Sequence, residues 1–199
     1  MSAELNQLVS YIEENIDGYF LKGNLKDLEE LLNKLFSSTK PLDFESQRKL
    51  FLLSMGCYPL FSYLLHRDLN TIPAVLRYSL ISKCFFGFGS TETPADVSNL
   101  VEGLLEEVDE DWYENDVVGY RIFNDRDEVL RNPSLDLAIL EEEFHNTGDT
   151  GNIESILRNP NCPVEFLHKI ITSDHSIIFE NAKHEDLIEA AKEILSSRE

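Results

Sequence analysis

The phrase Leu130-Arg131-Asn132-Pro133 returns as Leu157-Arg158-Asn159-Pro160. After each copy comes a short polar gap and then an apolar helix pattern, Ala138-Ile139-Leu140 the first time and Phe166-Leu167 the second. A third, weaker copy begins at Asn181, with Leu187-Ile188 behind it. Self-similarity at a short period marks a helical repeat array, whose units bury their apolar sides only by stacking on their neighbours. Proline disfavours a helical conformation at the residue before it, so a helix or turn should stop at each of these asparagines. In the second copy Pro163 then opens the next helix, with Cys162 at the cap position. Each unit reads as a short helical piece (residues 127–130, 153–157 and 177–179) followed by a longer helix (135–144, 163–171 and 185–195). The spacing is 27 residues from Asn132 to Asn159 and 22 to Asn181, the excess in the first unit being a Gly/Asn/Asp loop over 145–151.

At Asn159-Pro160-Asn161-Cys162-Pro163-Val164-Glu165-Phe166-Leu167 the sequence resembles the leucine-rich-repeat variant family. The resemblance covers roughly the last 75 residues and implies short and longer helices alternating in a right-handed superhelix, much as in HEAT and armadillo arrays. Such arrays are generic binding scaffolds, so the resemblance informs fold far more than function. That family's iron–sulfur centre belongs to a separate cysteine cluster without a counterpart here, and no cofactor is expected.

The preceding part of the chain also reads as helical. Leu5, Leu8, Val9, Ile12 and Ile16 share one face of a helix over 3–16, and Gly18 and Gly23 loosen the connection after it. Asn24 caps a second helix with Leu28, Leu31, Leu32, Leu35 and Phe36 on its core side, and Asp43 caps a third through Leu50, Leu53 and Met55. Gly56 and Pro59 punctuate a further run to Leu65. Thr71 and Pro73 start a helix that reaches Phe86, and Thr93 with Pro94 starts another whose stripe is Val97, Leu100, Val101, Leu104 and Leu105. Residues 117–123 admit either a strand or a helix. The expected fold is all-α: an N-terminal helical bundle over 1–90, followed by a short right-handed helical-repeat array over 91–199 packed on it as one unit.

Charge separates the same two parts. The 199 residues carry 17 Lys+Arg and 37 Asp+Glu, a net charge of −20. Residues 1–90 hold 9 basic and 10 acidic side chains, and residues 91–199 hold 8 and 27. Such a balance opposes direct binding to nucleic acid, which needs Lys and Arg on the phosphates, and opposes an anionic membrane surface. The apolar stretch over 72–88 is interrupted by Arg77 and Lys83 and is short for a membrane span. Cys57, Cys84 and Cys162 are widely spaced with no CxxC, and the Met1-Ser2-Ala3-Glu4 start lacks a signal-peptide pattern. Together these point to a cytoplasmic protein with reduced structural thiols.

No Lys or Arg occurs between Lys83 and Arg121, and within that gap the acids crowd. Glu106, Glu107, Asp109, Glu110, Asp111, Glu114 and Asp116, with Trp112 and Tyr113 among them, are the expected partner-binding residues. Crowded like charges repel, a basic partner removes that cost, and Trp and Tyr often anchor interfaces. Solvated acids, with Trp112 plugging the joint to the repeats, are the plainer reading. The leading expectation is a non-enzymatic inhibitor of a basic, nucleic-acid-acting protein, of toxin-immunity or phage anti-defence type, with nucleic-acid mimicry as a variant. A scaffold with incidental acidity is the alternative. A metalloenzyme is the third reading, resting on Glu142/His145 and Glu165/His168, whose i, i+3 spacing puts each pair on one helix face. Cys162 near His168 and the Gly87-Phe88-Gly89 turn are weaker signals, read as structural. The apolar end Ile194-Leu195 lacks a polar cap and offers a second copy a place to pair.

Overall fold

A computed structural model describes residues 2–38, 40–85, 93–108, 126–147, 149–172 and 184–198. The fold is all-α. Among the described residues the helices are α1 (Ala3–Asn15), α2 (Leu25–Phe36), α3 (Phe44–Met55), α4 (Tyr58–Leu65), α5 (Ala74–Cys84), α6 (Ser98–Glu106), α7 (residues 126–131), α8 (Leu137–Asn146), α9 (Thr150–Arg158), α10 (Val164–Thr172) and α11 (His184–Arg198). The chain divides into two compact units, residues 1–125 and 126–199.

Asn24 and Asp43 cap their helices as anticipated, whereas Cys162 does not, because α10 begins at Val164 and not at Pro163. Asn24 Oδ1 accepts from Lys26 N at 3.0 Å, and Asp43 Oδ1 from Ser46 N at 2.9 Å. Ser2 does the same for α1, accepting from Leu5 N at 3.2 Å. Each satisfies an amide that the first turn of a helix leaves without a partner. The helix expected to open at Pro94 starts later, at Ser98, because Pro94 O accepts from Val97 N and Ser98 N in a turn that precedes it.

The connection after α1 is ordered more tightly than its two glycines imply. Ile16–Asp17 (β1) and Phe20–Leu21 (β2) form an antiparallel hairpin pairing Ile16 with Leu21 and Asp17 with Phe20. Gly18 adopts φ +60° at the first turn position, as hairpins with glycine there require. Tyr19 O accepts from Tyr58 N at 2.9 Å, tying the hairpin to the start of α4. Tyr11 donates its hydroxyl to Asn24 O at 2.7 Å, and a Cβ on Gly23 would fall 2.5 Å from that hydroxyl oxygen. Gly23 therefore permits a close approach and does not loosen the chain.

In the first unit α3 packs against α1, α4 and α5, and α6 packs on α5. Leu5, Leu8, Ile12, Leu28, Leu32, Leu50, Phe51, Leu60, Phe61, Leu64, Leu76, Leu80 and Leu104 are fully buried there. The charge change at residue 90 and the packing division at 125 do not coincide. Counted by compact unit, residues 1–125 carry 10 Lys+Arg and 21 Asp+Glu (net −11), and 126–199 carry 7 and 16 (net −9).

In the second unit the two copies of the repeated phrase adopt one turn and bond to each other. Asn132 Oδ1 accepts from Ser134 N at 3.0 Å, and Asn159 Oδ1 accepts from Asn161 N at 2.8 Å. Leu135 N donates to Asn132 O at 3.1 Å, and Cys162 N to Asn159 O at 3.0 Å. Fully buried Asn159 then donates its Nδ2 to Leu130 O at 2.8 Å and Asn132 O at 2.9 Å. One side chain thus joins the second turn to the first, and Asn161 adds a bond to Pro133 O. The apolar residues follow the same 27-residue offset: Val129 and Ile156, Leu130 and Leu157, Leu135 and Cys162, Ile139 and Phe166, Leu140 and Leu167 are all buried.

Two details depart from the expected unit. Helices α9 and α10 are nine residues each, so the alternation of short and longer helices is absent there. The loop expected over 145–151 is mostly helix: α8 runs to Asn146, and Asp149 Oδ1 caps α9 by accepting from Asn152 N at 3.0 Å. A small polar residue beside glycine is helix-start chemistry as well as loop chemistry. The third copy from Asn181, the piece at 177–179 and the segment 117–123 lie outside the described residues, as does Gly87-Phe88-Gly89.

One buried and one half-buried polar group in this unit give measurable expectations. Ser155 is fully buried, and its Oγ has no hydrogen-bond partner. Ser155→Ala removes an unsatisfied hydroxyl and adds helix propensity, so it should stabilise the protein by about 1 kcal/mol, read as a higher urea midpoint. Glu143 accepts from Asn152 Nδ2 at 3.1 Å. Burial raises its pKa, and the opposing pulls of Arg126 and the Asn152 bond do not cancel it. A carboxyl whose pKa rises on folding favours the fold while protonated, and this contribution is lost as pH climbs through the raised value. Glu143→Gln mimics the neutral form and keeps an acceptor for Asn152. Its stability gain over the parent should therefore be larger at about pH 7 than at about pH 4 in paired thermal melts.

Candidate interaction surface

Helix α6 leads into the acidic run. Val101 and Leu104 bury its inner side, while Glu102 and Glu106, spaced i and i+4, are exposed on the outer one. Leu100 is exposed beside them at 41 %. Of the residues expected to meet a partner, Glu106 ends the helix and Glu107 follows as its C-cap. Asp109, Glu110, Asp111, Trp112, Tyr113, Glu114 and Asp116 lie outside the described residues.

Glu107 is engaged within the chain. Arg48, on α3, donates Nε to its Oε1 at 2.8 Å and Nη2 to its Oε2, a bidentate fork. Arg48 also lies 3.9 Å from Glu45. The bonds to Arg48 hold the Glu107 carboxyl below the usual range and raise the guanidinium in turn. The pair pins the end of α6 to α3, so it fixes where the acidic run begins. No sequence pattern reveals it, since the partners stand 59 residues apart.

The second unit presents a further acidic row. On α11, Leu187 and Ala191 are buried, while Glu185, Glu189 and Glu193 are exposed at i, i+4 and i+8, with Asp186 beside them. Like charges at this spacing repel, and successive carboxylates stand about 6 Å apart along the axis. Lys192 is the exposed cation within this row.

The Glu-x-x-His pairs do not gather into a metal centre: among the described residues no three His, Cys, Asp or Glu side chains converge. His145 Nδ1 sits 3.4 Å from Lys169 Nζ, edge-on to Phe144 and Phe166, whose rings stack with centroids 4.3 Å apart. Cys57, Cys84 and Cys162 are free and buried. Burial pushes the Cys162 thiol up to about 11 against an opposing pull from Arg198, so it stays protonated near neutral pH. A surface depression of about 450 Å³ is lined by Asn6, Gln7, Ser10, Tyr11, Glu14 and Leu31, which hold no nucleophile paired with a base. No helix among the described residues is long and apolar enough to cross a membrane.

Compared with protein-family models, curated proteins and solved structures, the chain matches none of them.

Proposed function

We propose that the chain is a non-enzymatic, cytoplasmic protein-binding module that docks on a basic protein and blocks it, the partner being one that acts on nucleic acid. The observation that carries this reading is acidity held in both compact units, net −11 and −9, with exposed glutamate rows on α6 and α11. Self-repulsion of such rows is relieved when a cationic surface covers them, and the same field speeds encounter with a basic partner. The run from Glu106 to Asp116 supplies charge, and Trp112 and Tyr113 supply the anchors. Toxin-immunity and phage anti-defence inhibitors are the types that fit, and nucleic-acid mimicry, with carboxylates standing where phosphates would, is one variant of this reading.

The test begins with affinity purification from the native host. Binding of the identified partner is then measured against salt, with and without competing DNA or RNA. The expected result is affinity that falls steeply with salt, displacement by nucleic acid, and at least roughly tenfold weaker binding when Glu106, Glu110 and Asp111 are neutralised. Salt-insensitive binding that survives neutralisation would replace this reading with the scaffold alternative. That alternative is supported by the joined turns at Asn132 and Asn159, a contact of the kind that stacked repeat units make. Stoichiometric iron, manganese or zinc in the purified protein would instead revive the metalloenzyme reading.

A further inference from the structure

Asn159 Nδ2 meets two backbone carbonyls of the first turn, Leu130 O and Asn132 O. Their counterparts in the second turn, 27 residues on, are Leu157 O and Asn159 O. Both receive Arg198: Nη2 donates to Asn159 O at 2.8 Å and to Leu157 O at 3.5 Å. Nη1 of the same guanidinium donates to Cys162 O at 2.7 Å. We infer that the carbonyls of Leu157, Asn159 and Cys162 form a guanidinium-binding cradle, filled from within the chain by Arg198, which closes the second turn as Asn159 closes the first.

Three features fit a guanidinium in particular. The acceptors diverge, and a planar fork with two donor nitrogens reaches all three where a carboxamide offers one. Leu157 and Asn159 stand at the C-terminal end of α9, where the helix dipole favours a cation, and Asn159 O takes the guanidinium beside the Cys162 amide that it already holds. Arg158, the basic residue in the last turn of α9, is turned to Glu154 at 2.8 Å and leaves that end to Arg198. Among the described residues no carboxylate pairs with Arg198, although the chain holds 37 acids. Its place is therefore set by the carbonyls.

The inference is independent of any partner. It is tested on the full chain with Arg198→Ala, by amide hydrogen exchange over α9 to α11. Exchange there should run roughly tenfold faster than in the parent, as expected for loss of charge-assisted bonds to carbonyls. Guanidinium chloride at low millimolar concentration should restore protection in the variant, equal sodium chloride should not, and neither should alter the parent. Arg198→Lys, which keeps the charge and loses the fork, should remain less protected than the parent. An Arg198→Ala protein that exchanges like the parent would overturn the inference. So would guanidinium that restores no more than sodium chloride, or a lysine variant as protected as the parent.

Discussion

Asn159→Ala is expected to destabilise the second unit by about 3 kcal/mol in urea unfolding of the full chain. The side chain is fully buried and has every bonding group in use. Truncation removes the donor to Leu130 O and Asn132 O and the acceptor for Asn161 N, and leaves the exposed Asn161 bond to Pro133 O to hold the turns. An unsatisfied buried carbonyl costs about 1–3 kcal/mol, well beyond the net worth of an ordinary hydrogen bond. Against a typical domain stability of about 5–15 kcal/mol this is a large fraction. Asn159→Asp should cost more still, because it turns a carboxylate oxygen toward two carbonyls. Asn161→Ala is the control: that residue is exposed, and losing its bond to Pro133 O should change stability by less than about 1 kcal/mol. A parent-like Asn159→Ala protein would show that the two turns are held by their apolar contacts alone.

Phe51→Ala should have a comparable or larger effect on the first unit, about 4 kcal/mol. Phe51 is fully buried on α3, the helix that packs against α1, α4 and α5. Removing the ring leaves a cavity at a fully buried position, into which a close-packed core collapses only in part. Leu25→Ala is the matched control, since Leu25 is 60 % exposed and should stay within about 0.5 kcal/mol of the parent. The two core variants report on separate units. Their combined effect in a double variant should therefore be near the sum of the single ones.

The helices of the first unit were legible because their apolar spacing and their caps agree. Leu28, Leu32 and Leu35 are buried behind Asn24, and Leu50 behind Asp43. The repeated phrase pointed correctly to Asn132 and Asn159, although proline alone suggested only a chain stop. The buried amide and its two carbonyls are a tertiary arrangement, and a stop signal does not encode them. The short hairpin escaped because four residues carry no visible period, and its single strong sign, Gly18, also fits a loop. The Arg48–Glu107 and Arg198 contacts escaped for another reason. Long flexible cations find their acceptors across the fold, at sequence distances where no pattern operates. Of the expected partner surface, Glu106 is exposed, while Glu107 already has a partner in Arg48.

The bonding between the turns also has a direction. Asn159 reaches back to carbonyls 27 and 29 residues earlier, and the same asparagine's own carbonyl faces forward. The second turn therefore has a donor side and an acceptor side, like a brick with a stud and a socket. A 27-residue module duplicated between the two existing copies would present the right stud to the turn before it and the right socket to the turn after it. Duplication or loss of such a module leaves the joint chemistry intact, so this end of the chain can change length across generations without inventing a new contact.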